Sequence, residues 1–437
     1  MKPRPIVEHT RAPPLRRSAT DGTARAMAWL GAAVFVVSLG YGAGLPLLKL
    51  YLAQYVPEAR PETIARNVGA LGGVYTFALF LFAPWWGRLS DRVGRSVVLM
   101  AGFAAFLLGG TAAALSPSLG LVYAARLLAG AGAAAIVPTA QAYIADISNV
   151  VDRNRRFVLL GTASFVGLLA GPAFGAWLAG PVMGEVAGQM PSMVNWPALV
   201  VGIIGIPVLL LAPWCLSRER PAAAAAPAPG AEPAARRHFV RASMLLALLA
   251  AFAVGTFEVG FNLFGGETLG LASGTIAVMF FTCSVAMLAA QSTLLLPGVR
   301  QRIDQRWIAA AFGASALALA FTSAVPNAAS LGLLIAVVAT GVGMIGPVLS
   351  YELLERRGTE RGALLGRQAA AGNLGQAAGS ISAGLLFGLR PGAPFWMAAL
   401  VLLLGAAAAL FYWGRARNGE IAAGVAVGTL NNGDRDG

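Results

Sequence analysis

Long apolar runs, repeated along the whole chain, constrain its fold more than any other feature of the sequence. An α-helix needs about 20 residues to cross the hydrocarbon layer of a membrane, whereas a strand of a membrane β-barrel needs only about ten. The apolar residues make up 57% of the 437 residues and the charged ones 12%, roughly half the charged share of a soluble domain. The sequence therefore predicts an all-α membrane protein with twelve transmembrane helices. The predicted spans are 27–52, 67–86, 97–115, 118–145, 158–180, 196–215, 243–264, 271–296, 307–325, 329–351, 364–389 and 392–413.

The basic residues are concentrated in every second loop and in the two ends of the chain. The intervening loops contain only Arg60, Arg66 and Arg390. Because short cytoplasmic loops carry the excess of lysine and arginine, we predict that both termini are cytoplasmic. The net charge of +13 then reflects orientation in the bilayer, and nucleic acid is not expected as a partner.

An alanine- and proline-rich segment divides the chain into two parts of similar span number. Its composition is typical of a flexible linker. The glycine pairs Gly167/Gly171 and Gly375/Gly379 occupy matching positions in the two parts, which favours two six-helix repeats with a binding site where they meet. The predicted divisions are a tail over 1–26, a first bundle over 27–215, a linker over 216–242, a second bundle over 243–413 and a tail over 414–437.

A glycine- and arginine-containing motif, GRLSDRVGRSVVL, lies between the second and third predicted spans. Gly87 and Gly94 permit a tight turn, and the Asp91 carboxylate can accept hydrogen bonds from a helix N-terminus or from arginines such as Arg92 and Arg95. The motif resembles the loop signature of the major facilitator superfamily. That resemblance implies the twelve-helix fold of two pseudo-repeats and a role for this motif at a cytoplasmic gate.

The fourth span contains one arginine, Arg126, and an aspartate, Asp146, follows at the end of the same helix. Arg126, in RLLAGAG, is similar to the superfamily's second motif, which the resemblance links to proton transfer. A guanidinium within a span is costly, so we expect Arg126 to face the interior with a partner; the alternative is that it extends to the outer surface. Asp146 resembles the matching position of tetracycline-type pumps, and we expect it to join the charge cluster of the Asp91 motif.

The fifth span contains GLLAGPAFG, which resembles the antiporter motif of drug exporters in the same superfamily. Gly167, Gly171 and Gly175 provide a smooth helix face for close packing, and Pro172 bends the helix. The alternative is ordinary packing of small residues. Tetracycline-type pumps carry an aspartate in the first span where this chain has Val37, so a cationic metal–drug complex is not expected as cargo.

Glu258 is the one acidic residue deep within a predicted span. A carboxylate in a low-dielectric cavity is suited to reversible protonation, so we predict Glu258 as the proton-coupling residue; a structural pairing with Arg126 is the alternative. Polar residues in other spans are candidates for the cavity lining, although each could instead form an interhelical hydrogen bond. They are Tyr41, Gln141, Asn262, Gln291, Asn373 and Gln376.

These features predict a proton-driven antiporter that exports a small amphipathic molecule, such as a drug or a siderophore, across a bacterial inner membrane. The alternatives are a proton-coupled symporter for a sugar, organic acid or siderophore, and a membrane sensor, which would need a folded soluble domain. No catalytic constellation is evident, so we predict a non-enzyme without cofactor or metal. The expected partners are the cargo, protons and the bilayer, and we expect a monomer.

Overall fold

A computed structural model gives the fold of the chain. Most of the predicted linker and tails lies outside the residues that it describes. The described residues are 17–44, 47–53, 55–56, 60–148, 150–179, 194–216, 234–295, 298, 304–325, 327–355 and 361–413.

Twelve helices of 16 or more residues follow one another in these ranges, and no β-strand occurs within them. A short helix, Leu48–Ala53, lies between the first two. The helices are α1 Arg17–Gly44, α2 Pro61–Val93, α3 Arg95–Ala114, α4 Leu119–Ile147, α5 Val150–Ala179, α6 Trp196–Cys215, α7 Ala234–Leu263, α8 Ser273–Ser292, α9 Gln305–Thr322, α10 Ala328–Glu355, α11 Arg361–Phe387 and α12 Ala393–Ala408.

Local sequence explains where several helices begin. Ser118 accepts a hydrogen bond from the backbone of the first turn of α4, and Asn195 and Asp304 cap α6 and α9 in the same way. Such caps satisfy backbone N–H groups that have no partner within the helix. Pro61 and Pro394 stand in the first turns of α2 and α12, where the missing N–H costs nothing.

Ten of the described helices are long and apolar enough to cross a membrane. The other two are α9, which is shorter, and α11, which carries polar residues such as Asn373 and Gln376. Helix α12 counts among the ten because a π-helical segment continues it and gives a span over Ala393–Phe411. The prediction of an all-α membrane fold is confirmed. The structure has the twelve helices that twelve crossings require. Ten of them also have the length and hydropathy expected of a membrane-spanning helix.

The helices pack as two groups that contact each other along two seams. In the first group α1 packs against α5 and α6, α4 against α2 and α3, and α3 against α6. In the second group α7 packs against α11 and α12, α9 against α10 and α12, and α8 against α10. The seams between the groups are α2 with α11 and α5 with α8.

Matching glycines make the same helix pair pack closely in both groups. A Cβ atom placed on Gly171 of α5 would lie 2.7 Å from the Cα of Gly42 in α1. In the second group, a Cβ on Gly379 of α11 would collide with the carbonyl oxygen of Phe252 in α7. Only glycine permits these approaches, which explains why the sequence likeness between the halves is concentrated at such positions.

Along the seam of α2 with α11, the two backbones come very close at one end of the bundle, where α2 begins and α11 ends. A Cβ on Gly69 of α2 would lie 2.5 Å from the carbonyl oxygen of Ser380 and 2.8 Å from the Cα of Gly384. A Cβ on Gly384 would in turn lie 2.5 Å from the carbonyl oxygen of Ala65. We call this the closed end, and the other, where α2 meets α3 at Gly94, the arginine-rich end.

The connection between α2 and α3 is shorter than the sequence predicts. Helix α2 continues to Val93 and α3 begins at Arg95, so the predicted loop is reduced to Gly94, whose φ of 102° favours glycine. Gly87 lies inside α2 and does not form a turn. The helix extends past the apolar run because its polar continuation, which includes Asp91, is compatible with helical geometry.

Candidate functional site

A carboxylate lies where the two groups of helices meet. The Tyr41 hydroxyl of α1 donates to Oε2 of Glu258 in α7 at 2.8 Å. The Gln376 side-chain amide of α11 donates to the same oxygen at 3.0 Å and to the Tyr41 hydroxyl at 2.8 Å. We call these three residues the interface triad, because one comes from the first group and two from the second.

Close packing of α7 on α11 fixes the two triad members of the second group. A Cβ on Gly255 would collide with the carbonyl oxygen of Gln376, and the Thr256 hydroxyl donates to the carbonyl oxygen of Gly379 at 3.2 Å. The Glu258 side chain follows less than one helical turn later. Glu258 and Gln376 are therefore held on adjoining rigid helices, whereas Tyr41 reaches them from across the interface.

Tyr41 also lines a cavity inside the first group. Its ring stacks on Tyr75 of α2 with the centroids 5.3 Å apart, and the Arg126 guanidinium of α4 lies 5.6 Å from the Tyr75 ring centroid. The cavity has a volume of about 50 Å³. Its walls come from α1, α2, α3, α4 and α6 and from the short helix after α1.

Arg126 faces this cavity and does not extend to the outer surface. Arg126 and Glu258 also form no ion pair, so the alternative in which they pair is wrong for this conformation. Three ion pairs of the described residues, Arg95 with Asp91, Arg95 with Asp146 and Arg156 with Asp152, lie at the arginine-rich end. The contacts of Arg126 are instead with the tyrosines of the first group.

At the arginine-rich end, Arg95 joins the two aspartates that the sequence analysis placed in one cluster. Its guanidinium pairs with Asp91 in the last turn of α2 and with Asp146 of α4, the latter at 3.2 Å. It also donates to the Ser90 hydroxyl at 2.6 Å, while Arg92 is exposed. The contact of an aspartate with a helix N-terminus, expected for Asp91, occurs instead in the second group, where Asp304 caps α9.

The antiporter-like motif packs against α1. Gly167, Gly171 and Gly175 all approach the α1 backbone closely, and the ring of Pro172 lies 3.2 Å from a Cβ placed on Gly42. The motif thus positions α1, the helix that carries Tyr41, and makes no direct contact with the interface triad.

Of the six candidates for the cavity lining, Tyr41 is the one found among the described residues that line this cavity, and Gln376 belongs to the interface triad instead. Gln291 donates to the carbonyl oxygen of Gly343 at 2.9 Å, an interhelical hydrogen bond. Asn262 is buried, with 2% of its surface exposed. Gln141 is exposed and Asn373 is half-buried.

Three polar residues of the cavity were not predicted from the sequence: Tyr51, Tyr75 and Asn195. The available signal for Tyr75 was a hydroxyl-bearing ring in an otherwise apolar stretch of α2. No comparable signal marks Asn195, which acts locally as the cap of α6.

Two similar groups of helices, with polar side chains buried where they meet, form the architecture of a secondary transporter. The chain belongs to the Major Facilitator Superfamily, whose family model matches residues 30–356. It is therefore a multi-pass membrane protein and a transporter of that family.

Individual relatives and structures agree with this assignment. The chain is 24% identical over 378 residues to Multidrug resistance protein 2 of Bacillus subtilis (strain 168), covering 85% of this chain and 91% of that protein. It is 37% identical over 155 residues to Tetracycline resistance protein, class C, of Escherichia coli, covering 35% of this chain and 37% of that protein. A crystal structure of a D-xylose-proton symporter has a similar fold, with a TM-score of 0.70, 16% identity and coverage of 88% of this chain and 97% of that one.

Proposed function

We propose that this transporter is a proton-driven exporter of a small amphipathic organic molecule, either a drug or a secondary metabolite such as a siderophore. We place it in a bacterial inner membrane, as a monomer with both termini in the cytoplasm. The relatives named for multidrug and tetracycline resistance support export. The observation that carries the coupling mechanism is the interface triad, because it puts a protonatable group on the contact between the two helix groups.

The charge of Glu258 affects how firmly the two groups are held together. A charged carboxylate accepts stronger hydrogen bonds than a neutral one, so Tyr41 and Gln376 bind it best when it is ionised. Protonation weakens these bonds and with them the contact of α1 with α7. A ligand shifts a conformational equilibrium only when it binds the two states with different affinity. Here the proton binds Glu258 more weakly while Tyr41 and Gln376 hold the ionised carboxylate, and more tightly once that contact is released.

This arrangement suits exchange of proton for cargo. An exchanger must not change conformation while its site is empty, and the triad holds the groups together most firmly in that empty, ionised state. Either ligand then releases the contact: a proton by neutralising Glu258, or cargo by displacing Tyr41 or Gln376 from it. A symporter has the opposite requirement, because its empty form must change conformation freely.

Transport in inside-out vesicles tests this proposal. With ethidium and the zwitterionic drug norfloxacin as test cargoes, the wild type should accumulate at least one of them when an acidic lumen is generated, and cargo should dissipate the proton gradient. Glu258→Gln keeps the side-chain volume but cannot be ionised, so it should still bind cargo and lose accumulation driven by the gradient. Glu267→Gln, at an exposed position of the π-helical segment that follows α7, is the matched control and should transport normally.

Two results would count against the proposal. Gradient-driven transport by Glu258→Gln at the wild-type rate would remove the carboxylate from the mechanism. Proton-coupled movement of cargo in the same direction as the proton would favour the uptake symporter instead.

The orientation and the divisions of the chain can be tested separately. The predicted linker over 216–242 should be cut by protease in inside-out vesicles and protected in intact cells. Cleavage in intact cells would reverse the topology.

A further inference from the structure

The cavity beside Arg126 has the chemistry of an anion site. No carboxylate of the described residues lies within salt-bridge distance of the guanidinium. The Tyr75 ring, 5.6 Å away at its centroid, supplies the negative face of a quadrupole but no countercharge. A charged group inside a membrane protein is costly without a countercharge, so this cavity favours an occupant that brings one.

The walls of the cavity reinforce this preference. Asn195 and Ala198, in the cap and first turn of α6, line the same space, and the N-terminal end of a helix carries a partial positive charge. The hydroxyl-bearing residues Tyr41, Tyr51 and Tyr75 also line it. A positive charge, a helix N-terminus and phenolic groups thus converge on one cavity, and none of these features alone would define it as a site.

We propose that the Arg126 cavity binds a small monovalent anion, either a carboxylate group or chloride. A guanidinium presents a planar fork that matches a carboxylate in two hydrogen bonds, and a volume of about 50 Å³ suits a group of that size. The site lies within the first group of helices and shares Tyr41, but not Glu258, with the interface triad. The inference therefore does not depend on proton coupling.

Thermal unfolding of the purified protein measures this binding, because a ligand that binds the folded state raises the unfolding midpoint in a saturable way. The sodium salt of HEPES, a bulky sulfonate that carries no carboxylate, provides the background salt. It is replaced stepwise by sodium chloride or sodium acetate at constant ionic strength, and acetamide serves as the neutral isostere of acetate. We expect a saturable rise with at least one of the two anions and none with acetamide.

Two variants remove the site by different means. Arg126→Gln removes the charge and should weaken anion binding by about tenfold or more. Gly110→Leu leaves Arg126 in place and fills the space: Gly110 lines the cavity, and a Cβ on it meets no atom within 4 Å. If Arg126→Gln does not fold, Gly110→Leu alone decides the question.

Matched controls keep the site intact. Arg390→Gln and Arg88→Gln each remove an exposed arginine, one near the closed end and one near the arginine-rich end; both should bind anions as the wild type does. Saturation by acetate at lower concentration than chloride would assign the site to a carboxylate group, and the reverse order to chloride. No saturable effect in the wild type, an equal effect of acetamide, or unchanged binding in Gly110→Leu would overturn the proposal.

Discussion

Replacing Tyr41 by phenylalanine should loosen the closed end of the transporter without disturbing its packing. The change removes only the hydroxyl that donates to Glu258 at 2.8 Å. A hydrogen bond to a charged group contributes about 1.5–3 kcal/mol, and we take the lower value because Gln376 remains bonded to the same oxygen. About 1.5 kcal/mol corresponds to roughly a tenfold change in the ratio of closed to open protein.

Distances between spin labels at the closed end report this ratio directly. Arg60 precedes α2, Arg390 follows α11, and both are exposed, so cysteines at these positions place one label on each helix group. The native Cys215 and Cys283 are first replaced. If the wild type is about 99% closed at neutral pH, the tenfold shift would leave Tyr41→Phe about 90% closed.

Two comparison variants separate the hydroxyl from the ring. Tyr75→Phe keeps the aromatic stack with Tyr41 and changes no hydrogen bond of the triad, so it should leave the distances as in the wild type. Glu258→Gln removes the charge that strengthens the bond and should shift the distribution in the same direction as Tyr41→Phe. An unchanged distribution in Tyr41→Phe, or an equal shift in Tyr75→Phe, would refute the reasoning.

Three further substitutions test the packing. Gly171→Leu should lower the unfolding midpoint and the yield of folded protein, because its Cβ would lie 2.7 Å from the α1 backbone; Gly161→Leu on the same helix, where a Cβ meets nothing within 4 Å, should not. Asp304→Asn should have the stability and transport of the wild type, since asparagine also caps helices, whereas Asp304→Ala should destabilise the protein by about 1 kcal/mol in unfolding measurements. Gly384→Leu, whose Cβ would lie 2.5 Å from a backbone oxygen of α2, should increase thiol labelling of a cysteine at position 60.

The helices were predictable because length and apolarity are properties of a local stretch of sequence. The ends of the helices were less predictable. Helix α1 begins at Arg17, inside the predicted tail, and α2 continues to Val93, because polar residues can extend a helix beyond the hydrocarbon layer. The apolar runs mark the part of each helix that lies in the membrane. The backbone stays helical beyond that part until a residue such as Gly94 adopts another conformation.

The site was predictable as a set of residue types but not as an arrangement. Tyr41 and Glu258 are 217 residues apart, and Gln376 follows Glu258 by 118, so only the packing of α1, α7 and α11 reveals that they meet. Gln291 is as polar as Gln376 and also lies on a helix, yet its face points to Gly343. Whether Arg126 pairs with Glu258, the alternative left open by the sequence, could not be decided for the same reason, because the direction of a side chain depends on how its helix is rotated against its neighbours.

The contact between α2 and α11 at the closed end has a thermodynamic consequence. Gly69, Ala65 and Gly384 meet there almost backbone to backbone, and glycine and alanine have no rotamers to lose, whereas a long side chain can lose up to about 2 kcal/mol of rotamer entropy on becoming ordered. Separating and rejoining these surfaces therefore changes the side-chain entropy very little. In the proposed mechanism, this contact adds little side-chain entropy to either state, which leaves the hydrogen bonds of the interface triad as the contribution that protonation can change.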